Sequence, residues 1–193
     1  MAENNQTITN LHNLLDYDAR KFTSAEIELK NSLPEWINKA GSLKFKTVLQ
    51  KYLDFVQQHV QKMEGFYEEE KIVSLSLTNR VMLAFIEEAN ISSLSLTNRV
   101  MQAYIEETEE KMSSCTDAEV KDACLLACIQ AINHFKISTY RTAAAFANAL
   151  GMEKQAAVFH EAEVNEKQID DRLSQLAEHE INIKAKTPIV LPG

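Results

Sequence analysis

Carboxylates, an imidazole and several amides sit in this sequence where long helices would bury them. They are Glu26, His59, Gln130, Asn133, Glu163, Glu166 and Asp170. Such groups are costly to bury alone, so they must hold either one another or an ion. Helical bundles build iron and manganese centres in this way, from carboxylates and imidazoles projecting inward from facing helices. A complete two-metal site takes one Glu from each of two helices and a Glu-x-x-His from each of the other two. This chain falls short of that pattern: the residue three before His59 is Val56, and three before His134 is Ala131. His160 and Glu163 have the spacing in reverse order. The set builds either one metal centre, with Glu26, His59, Glu163 and Glu166 as candidate ligands for iron or manganese, or a hydrogen-bonded polar layer without any cofactor. The expectation is the polar layer.

Other chemistry finds little support. There is no phosphate-binding Gly loop, no nucleophile elbow and no Cys-x-x-Cys pair. Cys115, Cys124 and Cys128 form no disulfide framework and are expected to be small buried apolar groups, with Cys124 and Cys128 on one helix face. His12 and His179 lie near expected helix ends. A formal charge of -8 argues against duplex binding, which needs a basic face. The N-terminus has neither the basic start nor the apolar stretch of a signal peptide, and no run approaches ~18 apolar residues, so the expectation is a reduced, cytoplasmic protein without membrane contact.

The elements that must position these residues are long helices. Four Gly and three Pro in 193 residues leave few breakers, and Ala, Leu, Glu, Lys and Gln are abundant. The first helix reads from about Thr9 to Ala40, with Pro34 expected to kink or split it. "AGS" at Ala40 to Ser42 supplies a stop and a new cap, and a second helix follows to about Glu70. Thr116 and Glu119 read as a capping box opening a third helix to Leu150, where Gly151 ends it. A fourth runs from near Glu153 to about His179, and the tail from residue 183 is expected to be extended. Apolar seams recur at three and four: Phe22, Leu29, Leu33 and Trp36; then Leu49, Tyr52, Val56, Met63 and Phe66; then Leu126, Ile137, Tyr140 and Ala144; then Phe159, Leu173 and Ala177. Short turns between such helices make them antiparallel neighbours. The prediction is an all-α, antiparallel four-helix bundle over residues 1–182.

"SLSLTNRVMLAFIEE" at Ser74 to Glu88 returns nineteen positions later as "SLSLTNRVMQAYIEE" at Ser93 to Glu107. At about 100° per residue, one unbroken helix would aim the two copies' apolar faces in different directions. "NISS" at Asn90 to Ser93 offers turn and cap residues between them. The reading is two short amphipathic helices in the connection between the second and third long helices. A tandem duplication absorbed there by packing on the bundle is the simplest origin; the rival is a docking face for a protein partner over 74–107.

The chain resembles the ferritin-like bundle proteins of the bacterial YciE/YciF type, associated with stress responses. The likeness covers about residues 11 to 185 and is carried by "SAEIELKNSLPEWINKA", "VKDACLLACIQAINHFKISTYRTAAAFANALG" and "NEKQIDDRLSQLAEHEIN". "NRVMLAFIEEAN" looks like the family's single connecting helix. The resemblance implies a ferritin-like four-helix bundle with one or two extra short helices, assembled with itself into dimers or larger oligomers. It also implies a metal-ligand set that this chain only partly keeps. Glu26, His59, His134, Glu166 and Asp170 match family positions. Phe55, Asn133, Lys136 and Asn165 stand where the family has carboxylates, and an inward Lys136 would repel a cation. The function expected is therefore that of a non-enzymatic, stress-associated bundle protein acting through oligomeric assembly; the alternatives are a ferritin-like oxidase or storage protein that binds iron or manganese, and an adaptor docking through the duplicated segment.

Overall fold

Two short turns decide the direction of four long helices. The computed structural model describes residues 8–75 and 98–186, the side chains of 66–75 excepted. Helix α1 spans Leu11–Lys39 and α2 spans Leu43–Leu75. Helix α3 spans Arg99–Ser114, α4 Ala118–Ala149 and α5 Glu153–Leu176. One π turn, Ala177–Ile181, carries α5 into the short α6, Asn182–Ala185. Among the described residues every regular element is helical, and no helix is long and apolar enough to cross a membrane.

The first turn closes where the sequence placed it. The Ala40 N–H returns to the Trp36 carbonyl at 3.0 Å, and the Ser42 hydroxyl accepts from the Phe45 N–H at 3.3 Å. Asp122 of α4 then binds the turn from outside, accepting from the N–H groups of Gly41 and Ser42 at 2.7 Å each. A Cβ on residue 41 would meet the Asp122 carboxylate at 3.2 Å, which explains a glycine there. Charge-assisted bonds of this kind are worth about 1.5–3 kcal/mol, so Asp122→Ala should cost roughly that much stability in a urea titration. An unchanged midpoint would mean that water replaces the carboxylate without loss. At the second turn Gly151 adopts φ 70°, a left-handed value that favours glycine. It lets the N–H groups of Gly151 and Met152 reach the carbonyls of Asn148 (3.0 Å) and Ala147 (2.9 Å), which satisfies the end of α4.

Helices α1 and α5 each pack against both α2 and α4. The starts of α2 and α4 meet at one end of the bundle, through Asp122. The end of α5 joins them there, with Glu180 taking Lys44 at 2.7 Å and the Ser42 hydroxyl at 3.3 Å. Neighbouring long helices are thus antiparallel, while α2 and α4 run the same way. The chain between them must therefore travel back along the bundle. A 32-residue helix such as α4 is about 48 Å long, so this return is too far for a simple turn. Helix α3 makes part of the return on the groove between α1 and α4. Its cap residue Asn98 donates to the Lys21 carbonyl at 3.2 Å, and Tyr104 lies against Phe135 with ring centroids 6.0 Å apart. This is a ferritin-like four-helix bundle with an additional helix.

Most of the predicted seam residues are buried, Trp36, Leu29, Leu49, Tyr52 and Tyr140 completely, whereas Ile137 is half-buried and the Phe66 side chain lies outside the described residues. Several local expectations change. Helix α1 continues through Pro34, because Leu33 and Trp36 are buried on either side of it while the proline ring and Lys30, whose carbonyl it frees, face solvent. Helix α4 starts one residue later than the capping box suggests. Asp117, whose carboxylate accepts from Glu119 and Val120 at 2.9 Å, displaces Thr116 as the cap. Residues 183–185, expected to be extended, are helical, while 187–193 lie outside the described residues. So do 76–97, and with them nearly all of the first repeat copy and the "NISS" turn. The second copy is described from Asn98 onward and forms the first part of α3. It buries Met101 and leaves Val100 49% exposed. The three cysteines, expected to be buried, are each partly exposed.

Candidate functional site

One residue stripe from each long helix meets at mid-bundle. Helix α1 brings Glu26, α2 brings Tyr52 and His59, α4 brings Asn133, Lys136 and Tyr140, and α5 brings Glu166. Spacings of seven on α2, and of three and four on α4, put each set on one face. All are sealed from solvent except His59, which is 3% exposed.

The Lys136 ammonium stands at the centre. It lies 2.6 Å from Glu166 Oε1, 3.1 Å from Glu26 Oε2 and 4.6 Å above the centre of the Tyr52 ring. The Tyr140 hydroxyl donates to Glu26 Oε1 at 2.7 Å. The Asn133 amide donates to Glu166 Oε2 at 2.7 Å and to that residue's own carbonyl at 3.0 Å. His59 Nδ1 faces both acids, 3.8 Å from Glu26 and 3.6 Å from Glu166. Its other nitrogen meets the Asn165 amide at 3.3 Å, and its ring stacks on Phe55.

Charge explains the acidities. Burial alone would raise both carboxyls. For Glu26, the Lys136 ammonium, His59 and the Tyr140 phenol outweigh it and hold the group below the usual range. For Glu166, burial, helped by repulsion from Glu26, prevails over Lys136 and lifts the group above that range. Lys136 nevertheless lies nearer to Glu166 than to Glu26. One ammonium faces two carboxylates, so the two acids titrate as a pair rather than independently. Burial and these same acids push the Tyr52 and Tyr140 phenols well above their usual value, which keeps both neutral.

Donor atoms of Glu26, His59 and Glu166 all lie within 4.8 Å of one another, the spacing of a metal-ligand set. With Lys136 in place the set does not fit a divalent cation. The ammonium already bridges the two carboxylates, and a metal ion there would face a like charge across a dry interior. An ammonium cannot ligate while it keeps its proton.

Glu163, the fourth candidate ligand, is placed elsewhere. Its carboxylate takes Lys167 at 2.6 Å and Arg141 at 2.9 Å, with His160 at 3.6 Å, on the outer side of α5. Gln130 bonds Ser174 at 3.1 Å, and Asp170 pairs at 3.2 Å with His134, whose side chain is largely exposed. Chiefly Lys167, with Arg141, holds the Glu163 carboxyl below its usual range. The folded chain then binds that proton less tightly than the unfolded chain does. The stabilisation is present above the ordinary carboxylate range and fades as the pH falls through it. Glu163→Gln should therefore flatten this acid limb of stability against pH, measured by thermal unfolding from pH 7 to pH 3; an unaltered limb would show that the cluster is screened out.

Spacing alone missed Lys136, because the expected α4 seam ran through Ile137, which is only half-buried. The better stripe, Asn133, Lys136 and Tyr140, has the same three-and-four rhythm, but a lysine in it reads as solvent-facing. The two tyrosines were legible as core and not as partners of the acids.

Comparison with known proteins agrees with this architecture. The Escherichia coli (strain K12) protein YciF is 38% identical over 77 residues, a stretch covering 40% of this chain and 46% of that protein. The solved structure of the E. coli stress protein YciF superposes with a TM-score of 0.74 at 23% identity, over 91% of this chain and 99% of that one. YcfI from Rhodopseudomonas palustris superposes at 0.73 with 20% identity, over 88% and 96%. At such identities the structures speak for the fold alone. The family described as a domain of unknown function, DUF892, matches residues 81–186, more than half of the sequence, and the chain belongs to that family.

Proposed function

We infer that this protein is a non-enzymatic, stress-associated bundle that acts through assembly with itself, and that its inner site is structural. The observation that carries the reading is the buried Lys136 ammonium set between Glu26 and Glu166. In that position the side chain supplies, within the chain itself, the positive charge that the carboxylates require. The stress association rests on the likeness to YciF, described as a stress protein. Elemental analysis of protein purified without chelator or affinity-metal resin, with the native mass recorded in the same run, tests both parts. A metal-free, discrete oligomer is expected. Stoichiometric iron or manganese would favour the second reading, a metal-binding bundle using Glu26, His59 and Glu166, which draws on the closeness of their donor atoms. A monomer would remove assembly as the mode of action.

A further inference from the structure

The groove between α1 and α4 holds the second copy of the repeat, as the first part of α3. Asn98 opens the helix there. Its side-chain oxygen accepts from the Val100 and Met101 N–H groups at 3.1 Å each, and its amide donates to the Lys21 carbonyl at 3.2 Å. Met101 is fully buried, the Tyr104 ring meets Phe135, and Ile105 is partly buried against the core. Further along the helix Thr108 and Met112 are buried too.

Nineteen positions earlier the sequence repeats what the front of this helix uses. Asn79 corresponds to Asn98, Met82 to Met101, Phe85 to Tyr104 and Ile86 to Ile105. The cap, the buried methionine and the isoleucine are the same, and the aromatic differs by one hydroxyl. Equal spacing would put these groups on one face of a helix in either copy. We propose that the α1–α4 groove is a docking site for the first copy, residues 79–89, as well as for the second, so that two segments of one chain compete for one seat.

The second copy is the favoured occupant, for two reasons. Ala89 and Ser93 stand where Thr108 and Met112 are buried, so the first copy fills less of the groove. The approach from α2 also differs. Leu75 lies 34 residues after Gly41 and Lys21 lies 20 before it, which sets the end of α2 about 21 Å past the seat of the cap. The chain from Leu75 to Asn79 spans at most about 14 Å, so seating the first copy draws the last turns of α2 out of helix. On its other side, residues 96–117 lead to α4 with length to spare. Both copies are tethered to the groove by the same chain, so each is present there at high effective concentration, and a copy on another molecule is not.

Amide hydrogen exchange of the full chain, read by mass spectrometry, tests this, because Leu83 against Gln102 and Phe85 against Tyr104 give the two copies peptides of different mass. In the parent the amides of 99–108 should be protected. Met101→Asp buries a charge in the second copy's seat, and protection should pass to residues 82–89. Met82→Asp alone should leave both the protection of 99–108 and the thermal midpoint as in the parent. The double variant should protect neither copy, and its midpoint should fall by more than the two single losses together, a coupling that residues 82 and 101 have only if they share one seat. If Met101→Asp does not fold, Met101→Ala is read with and without Met82→Asp in the same way. Additive losses, or protection lost from 99–108 and not gained in 82–89, would overturn the proposal. So would a transfer that grows with protein concentration, which would place the new occupant in another chain.

Discussion

Lys136→Met is expected to destabilise the protein by about 3–5 kcal/mol, because it removes one partner of a buried ion cluster and leaves the others charged. Methionine matches the length of the lysine stem, so the loss should reflect charge rather than a cavity. The Glu26 and Glu166 carboxylates would then face each other in a dry interior, with the Tyr140 hydroxyl, the Asn133 amide and the His59 ring beside them and no ammonium between. Urea unfolding near neutral pH measures the effect. The deficit should shrink in acid: without the ammonium both carboxyls are raised in the folded state, so their penalty is present above the unfolded carboxylate range and is lost as the pH falls below it. Adding Glu26→Gln and Glu166→Gln should recover much of the stability, since neutral groups of similar size need no counter-ion. Parent-like stability of the single variant would show that Lys136 is not what compensates these acids.

Lys136→Glu should have a second, opposite consequence. It withdraws the internal cation and adds a carboxylate beside Glu26, His59 and Glu166, whose donor atoms already lie within 4.8 Å of one another. Without metal the variant should be strongly destabilised by three clustered acids. With manganese or iron(II) at a hundredfold excess over Kd, binding should restore about 2.7 kcal/mol. For a domain of this size that is a rise of roughly 5–10 °C in Tm, abolished by chelator. The parent protein should not respond to the same ions. Equal responses of parent and variant would mean that Lys136 does not exclude the cation, and the structural reading of the inner site would then fail.

How the site was legible follows from the same residues. Glu26, His59 and Glu166 could be picked out because helical periodicity places them among Leu29, Val56 and Leu173, and a polar group in an apolar seam is conspicuous. Glu163 was picked out on the same ground and lies elsewhere. Like Glu166 it is buried, but its carboxylate turns outward to Arg141 and Lys167. Sequence spacing gives the side on which a residue starts and not where a flexible carboxylate ends. Capping was readable to within a residue, since Thr116 and Asp117 both suit the role and only backbone geometry chose Asp117.

The sequence by itself determined the helices, their short turns and the all-α bundle, because breaker residues, caps and three-and-four periodicity are local and act within a few positions of the chain. It determined the repeat as well, though not where the first copy lies. The tertiary structure alone decided what the polar core is. Whether two acids and a histidine hold a metal or a lysine depends on the position of one ammonium, contributed from Lys136, 110 residues after Glu26 in the chain and 30 before Glu166. Pairing across such separations leaves no periodic trace, because it arises from the arrangement of four helices in space.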